Sequence, residues 1–84
     1  MSINIYIKTL EGRSTMISVN SNEKIMDGKR KFREITGSSI SDPQWKFGSQ
    51  VLKNGQTFDY YGIEDGDNIV TNDRSQGGKN ILKT

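Results

Sequence analysis

Strict alternation of apolar and polar residues at the start of the chain constrains the fold most. Residues 3–8 place isoleucine at every second position, a period of two that predicts a β-strand with one buried face. Residues 15–19 repeat the alternation, and Gly12 lies in the short segment between the two runs. A glycine in so short a connection favours a tight turn. The chain therefore opens with a predicted β-hairpin.

One helix is predicted after the hairpin. Asn20-Ser21-Asn22 is a typical helix start signal, because short polar side chains accept hydrogen bonds from the first free amides. Ile25, Phe32 and Ile35 then recur near the helical period, which predicts an apolar helix face. Gly37 is expected to end the helix.

Three more strands are predicted in the second half. Residues 45–47 alternate, residues 51–52 pair back briefly, and residues 69–72 alternate again after the turn at Asp65-Gly66-Asp67. Phe58, Tyr61 and Ile63 are expected to anchor an irregular or short helical connection. The order β-β-α-β-β-β predicts an α+β domain, with one helix packed on a mixed five-stranded sheet.

The predicted domain covers residues 1–73, and residues 74–84 form a predicted flexible tail, since no apolar periodicity remains there. Gly77-Gly78 lies in this tail. A glycine pair has no side chain to block a narrow channel, so the tail could be threaded into another protein's active site as a substrate. Ordinary terminal disorder is the simpler explanation of the pair taken alone.

Composition limits the function. The chain has 84 residues, no cysteine, no histidine and a net charge of +2. It therefore lacks a thiol nucleophile, a disulfide, and the usual histidine general base or zinc ligand, so we expect neither catalysis nor a cofactor. The charge is too small to indicate nucleic-acid binding. No apolar run approaches a membrane span, and we expect a cytoplasmic or nuclear monomer.

Two charged segments have competing explanations. The basic run over residues 29–33 could bind an acidic partner or nucleic acid, but a solvated helix face balanced by Asp27 and Glu34 is favoured. The acidic residues at 64–67 could suggest calcium, yet they lack the spacing of a calcium loop. A turn is the preferred interpretation there.

The motifs together resemble the ubiquitin family. Their joint spacing continues from Ile3 to Gly78 without a gap. Three segments carry the resemblance: Ile7-Lys8-Thr9-Leu10-Glu11-Gly12, Leu52-Lys53-Asn54-Gly55-Gln56-Thr57-Phe58 and Arg74-Ser75-Gln76-Gly77-Gly78. The resemblance implies a β-grasp fold. It also implies attachment to target lysines through a C-terminal glycine, by activating, conjugating and ligating enzymes.

The resemblance also implies a core and a bracing tyrosine. Tyr61 matches a family tyrosine whose hydroxyl braces a loop. Gly28 replaces a family valine and is expected to make room for Trp45, which is larger than the family leucine. The residues that fall on family core positions are Ile3, Ile5, Ile7, Ile17, Val19, Ile25, Phe32, Trp45, Leu52, Phe58, Ile63 and Ile69.

The chain departs from the family on its implied partner-binding surface, which comprises Leu10, Lys46, Gly48, Val70 and Asn72. Leu10 keeps one of three apolar anchors, whereas Lys46 and Asn72 replace the two aliphatic ones and Val70 replaces a histidine. Polar groups at the centre of an apolar patch remove much of its desolvation gain. We expect proteins that bind the family's apolar patch to bind this surface weakly.

Acceptor lysines carry over in part. Lys8, Lys29 and Lys31 coincide with family positions that accept further modifier molecules. The two most used positions are occupied by Gln50 and Asp65 instead. Every lysine also has the simpler explanation of a solvated surface charge.

The tail supports two hypotheses. Arg74 and Gly77-Gly78 match the residues that family activating enzymes recognise, which favours a modifier precursor. Ser75-Gln76 and the lost patch favour a non-conjugated interaction module. The segment Lys79–Thr84 follows the glycines, so a conjugated form would require a processing protease to cut before Lys79. A basic nucleic-acid binder is a distant third hypothesis.

Overall fold

Five strands and one α-helix follow one another in the order predicted from the sequence. The computed structural model describes residues 1–38 and 42–72. The elements are β1 (Ser2–Lys8), β2 (Ser14–Asn20), α1 (Ile25–Thr36), β3 (Trp45–Phe47), β4 (Gln50–Val51), a 3-10 turn (Asp59–Tyr61) and β5 (Asn68–Thr71). The predicted tail, residues 74–84, lies outside the described residues, so the domain boundary stays a prediction.

The sheet is mixed, in the order β2-β1-β5-β3-β4. β1 and β2 form the predicted antiparallel hairpin, and β1 pairs with β5 in parallel. β3 pairs antiparallel with both β5 and β4. Parallel pairing of the first and last strands needs a long crossover, and the chain between them supplies one that contains α1. The predicted α+β class and β-grasp architecture are confirmed.

The core lies between the sheet and α1. Alternation brings Ile3, Ile5 and Ile7 to the inner face of the sheet, and all three are buried. Ile25 and Phe32 meet them from the helix, and Phe32 contacts Trp45 edge to face with ring centroids 6.0 Å apart. The buried apolar residues are the twelve predicted core positions: Ile3, Ile5, Ile7, Ile17, Val19, Ile25, Phe32, Trp45, Leu52, Phe58, Ile63 and Ile69.

Gly28 packs against two aromatic rings. A β-carbon at this position would lie 2.5 Å from Phe58 Cζ and 3.3 Å from Trp45 Cζ3. The predicted proximity of Gly28 and Trp45 is therefore confirmed. Phe58 leaves less room for a side chain at position 28 than Trp45 does, and its proximity to Gly28 was not predicted from the sequence.

The helix differs from the prediction at its start and in the burial of one residue. It begins at Ile25 and not beside Asn20-Ser21-Asn22, because residues 21–25 bond to the 56–59 segment: Asp59 N donates to Ser21 O and Ile25 N donates to Gln56 O, each over 2.8 Å. Ile35 is exposed and does not join the core. Gly37 ends the helix as predicted, with φ of +72°.

Two loops follow the sequence interpretation. The Tyr61 hydroxyl accepts a 2.8 Å hydrogen bond from Lys53 N, which confirms its bracing role. The acidic segment is a turn: Asp65 Oδ1 accepts from Asn4 N and Asp67 Oδ2 accepts from Glu64 N. Both carboxylates thus bond to backbone amides.

Among residues 1–38 and 42–72, the structure has no helical segment that combines the length and the apolar composition of a membrane-spanning helix.

Candidate functional site

The outer face of the sheet is the part of the fold that a partner can contact over several strands. Strand register aligns residues across it: Val70 on β5 pairs with Lys8 on β1 and with Lys46 on β3. Lys46 in turn pairs with Val51 on β4. All four side chains are exposed. The row Lys8–Val70–Lys46–Val51 therefore crosses four adjacent strands and alternates cationic with aliphatic side chains.

Four of the five predicted surface residues meet at a shallow cleft of about 140 Å³. The cleft is lined by Leu10, Gln44, Lys46, Val70, Thr71 and Asn72. Gly48 is the exception. It lies in the turn between β3 and β4 with φ of +64°, where its role is conformational.

Asn72 holds the backbone of Gln44 in place, a structural role that was not predicted from the sequence. Its side-chain Oδ1 accepts a 3.0 Å hydrogen bond from Gln44 N, and its own backbone N donates to Gln44 O over 3.1 Å. Together these bonds continue the β5–β3 pairing past the last strand residue. Asn72 therefore removes an aliphatic contact from the surface and also fixes the backbone beside it.

Sequence reasoning missed part of this face. Tyr6 and Met16 pair across β1 and β2, and both are exposed. Tyr6 also pairs with Asn68, two residues before Val70 on β5. The period-two pattern contained the signal, since it places Tyr6 opposite the buried isoleucines and on the side of Lys8.

The three predicted acceptor lysines differ in their surroundings. Lys8 is exposed at the end of β1 and has no ion pair within the described residues. Lys31 Nζ donates to Ser18 O over 3.0 Å and pairs with Glu23 over 3.2 Å. Of these two amines, that of Lys8 is the more accessible to a reactive thioester.

Lys29 is largely buried and is therefore not the solvated surface charge expected of a lysine on a helix. Its side chain is only 9% exposed, and its Nζ lies 3.3 Å from Asp42 Oδ1. Asn54 Nδ2 donates to the same oxygen over 3.0 Å. These hydrogen bonds from Asn54 and Lys29, with the positive charge of Lys29, hold the pKa of Asp42 below its ordinary value. Modification of Lys29 would require this cluster to open.

The remaining cations of the helix are partly neutralised. Arg30 and Arg33 border a second cleft of about 230 Å³, together with Lys29 and Asp42. Arg30 pairs with Asp27 over 3.3 Å, as the balanced-face interpretation expected. Glu34 forms no ion pair with a described residue, and the acid that neutralises Lys29 is Asp42.

The predicted conjugation residues Gly77, Gly78 and Lys79, and the predicted recognition residue Arg74, lie outside the described residues. Their roles stay predictions.

No group of three or more acidic side chains that could hold a metal ion occurs in the part of the chain that the structure describes.

Comparison with known proteins identifies the family. The model of the ubiquitin family matches residues 5–75. The structure is also similar to a de novo designed protein based on ubiquitin, with a TM-score of 0.77 and 27% sequence identity, over 92% of this chain and 94% of the designed one. A search of curated proteins gave no match. The family match spans most of the chain and agrees with the β-grasp topology, and the protein therefore belongs to the ubiquitin family.

Proposed function

We propose that this protein is the precursor of a ubiquitin-like modifier, cut after Gly78 and joined through that glycine to lysines of target proteins. The observation that carries the proposal is the position of Gly77-Gly78 shortly after the last strand of a ubiquitin-family domain. β5 ends at Thr71. Residues 72–78 could span at most about 25 Å when extended, which is enough to enter a narrow active site while the domain stays outside.

The chemistry needs a free carboxylate at Gly78. Its oxygen attacks the α-phosphate of ATP and displaces pyrophosphate, a cysteine thiol of the activating enzyme displaces AMP, and a target amine finally displaces the thiol. A peptide bond to Lys79 hides the carboxylate, so a protease must act first. The domain supplies a binding surface and a tail, and the catalytic groups belong to the enzymes, in keeping with its family.

Arg74 would dock the tail on the activating enzyme. Its guanidinium can donate two parallel hydrogen bonds to a carboxylate. Loss of a charge-assisted hydrogen bond costs about 1.5–3 kcal/mol, so Arg74→Ala should slow activation markedly without preventing it.

A non-conjugated interaction module is the alternative. Ser75 and Gln76 differ from the family where the enzymes make their contacts, and Lys46 replaces an aliphatic anchor on the outer face. Both interpretations place the protein in the cytoplasm or nucleus, where such enzymes and partners occur. Nucleic-acid binding is not favoured, because Lys29, Arg30 and Lys31 each have an acidic neighbour.

The test uses an amino-terminally tagged protein ending at Gly78, incubated with host lysate and ATP. Higher-mass adducts should form, disappear when Gly78 is deleted, and survive Gly55→Ala. Gly55 is a matched control, since a β-carbon there meets nothing within 4 Å and its φ is not positive. Intact mass of the full chain should also show loss of Lys79–Thr84. Absence of both adducts and cleavage would favour the non-conjugated module.

A further inference from the structure

The outer face of the sheet carries positive charge and no negative charge on its described strands. Among the strand residues that the structure describes, this face carries two charged side chains, and both are lysines: Lys8 and Lys46. Neither forms an ion pair with a described residue. The other residues of the face are aliphatic, aromatic, or neutral and polar.

The spacing of the two lysines is fixed by the sheet. Lys8 and Lys46 both pair with Val70, from opposite sides. Adjacent strands lie about 4.8 Å apart, so the two lysine backbones are about 10 Å apart with an exposed valine between them. Val51 continues the row on β4, and Tyr6 and Leu10 extend the apolar surface beside it; all three side chains are more than a third exposed.

We propose that this face binds an amphipathic acidic segment of a partner protein, with two carboxylates about 10 Å apart and aliphatic side chains between them. The carboxylates would meet Lys8 and Lys46, and the aliphatic side chains would cover Val70 and Leu10. Two turns of an α-helix rise about 11 Å, so a helix with acidic residues at i and i+7 matches the spacing.

The helix cleft is a weaker candidate for an acidic ligand. Asp42 and Asp27 neutralise Lys29 and Arg30 there, and the Asp42 carboxylate would itself repel an incoming anion. On the sheet face no carboxylate opposes the ligand within the strands. Charge complementarity therefore selects the sheet face.

This proposal rests on the proposed function and specifies the kind of partner protein that would recognise the modifier. Its test nevertheless uses the unconjugated protein. Failure of conjugation would leave the binding result intact, and failure of binding would leave conjugation intact. The probe is a synthetic helical peptide with glutamates at i and i+7 and leucines at i+3 and i+4. A matched peptide carries lysines in place of both glutamates.

Titration of the isotope-labelled protein with the glutamate peptide should shift the amide signals of Tyr6, Lys8, Lys46 and Val70. Reversing both charges, Lys8→Glu with Lys46→Glu, should weaken binding at least about tenfold and reverse the preference in favour of the lysine peptide. The matched control, Arg30→Glu with Arg33→Glu, changes net charge equally on the helix face and should alter affinity by less than about twofold. Thermal melts verify that all variants are folded.

Four outcomes of the titrations would overturn the proposal. They are no saturable binding of the glutamate peptide, an equal loss in the helix control, a preference that does not reverse, and displacement of the peptide by oligothymidylate with the same signals shifted. The last would assign the face to single-stranded nucleic acid. A dimer detected by sedimentation, with concentration-dependent shifts of the Tyr6, Lys8, Lys46 and Val70 amide signals, would also overturn it, because a second copy of the chain would then cover the face.

Discussion

The two faces of the sheet contrast sharply although the same strands build both. On β5, Ile69 and Thr71 point inward and are completely buried, whereas Val70 between them is 44% exposed. On β1, three isoleucines face the core, while Tyr6 and Lys8 face outward. All twelve core positions inferred from the family resemblance are buried, yet the outer face replaces the family's aliphatic residues with Lys46 and Asn72.

The difference shows which constraint acts where. A buried position must exclude water and match the volume of its neighbours, so its residue class is narrowly limited and a change at one position requires another nearby. The close approach of Phe58 and Trp45 to Gly28 is what such a compensation predicts. An exposed strand position needs only to tolerate the pleat and the solvent, so its chemistry can change with the partner.

The largest contrast should come from adjacent residues on one strand. Ile69→Ala should lower the free energy of unfolding by about 2–5 kcal/mol, because it leaves a cavity in the core. Val70→Ala should change it by less than about 0.5 kcal/mol. Urea unfolding of the two variants measures both, and similar losses would mean that the faces are not as distinct as described.

Gly28→Ala tests the compensation inside the core. Its new β-carbon would lie 2.5 Å from Phe58 Cζ, and overpacking costs about 1–3 kcal/mol. Alanine is the better helix residue by roughly 1 kcal/mol, so the expected net effect is a modest destabilisation. Glu34→Ala is the exposed control on the same helix.

The double variant Gly28→Ala with Phe58→Leu sharpens that test. Removing the ring relieves the overlap, so the combined loss should be smaller than the sum of the two single losses. A higher melting temperature for Gly28→Ala alone would contradict the packing described here.

A smaller effect is expected in the connection between β4 and β5. Tyr61→Phe removes the acceptor of Lys53 N and should cost about 0.5–1.5 kcal/mol. Tyr60→Phe is the matched control, because Tyr60 is adjacent and 65% exposed, and it should have no measurable effect. Equal losses in the two variants would argue against the bracing role.

The smallest expected effect is the dependence of stability on low pH through Asp42. Asp42 has its pKa lowered by hydrogen bonds from Asn54 and Lys29, so its stabilising contribution is present above the ordinary carboxyl pKa and is lost as pH falls through the lowered one. Carboxyl chemical shifts measured against pH should show this lowered pKa. Asn54→Ala should raise it toward the ordinary value, and no change would contradict the assignment.

Much of the fold was predictable from the sequence, because alternation at residues 3–8 and 69–72 reports directly which side chains are buried. The helix start was wrong because backbone bonds from residues 56–59 override a local capping signal. The burial of Lys29 was missed because helical periodicity does not report a contact with Asp42, which lies 13 residues further along, in the loop after α1. For the same reason, the hydrogen bond from Gln44 N to Asn72 could not be read from local sequence.

Part of the candidate surface could be located from the sequence. Leu10, Lys46, Val70 and Asn72 line one cleft, as the family resemblance grouped them, and their role in binding a partner stays a prediction. Tyr6 and Met16 were overlooked, although the alternation placed them outward. The predicted conjugation and processing residues, Gly77, Gly78 and Lys79, lie outside the described residues, and their role stays a prediction.

The most direct test compares the unchanged protein with Lys46→Ile and with Lys46→Ile/Asn72→Val for binding to a domain that recognises the ubiquitin apolar patch. Burying an aliphatic side chain contributes about 1.5–3 kcal/mol, so each variant should gain about tenfold or more in affinity. Thermal melts check that loss of the Asn72–Gln44 bond has not unfolded the double variant. We expect the unchanged protein to bind this domain far more weakly than ubiquitin does. Binding as tight as that of ubiquitin would contradict the claim that Lys46 and Asn72 weaken recognition of this face.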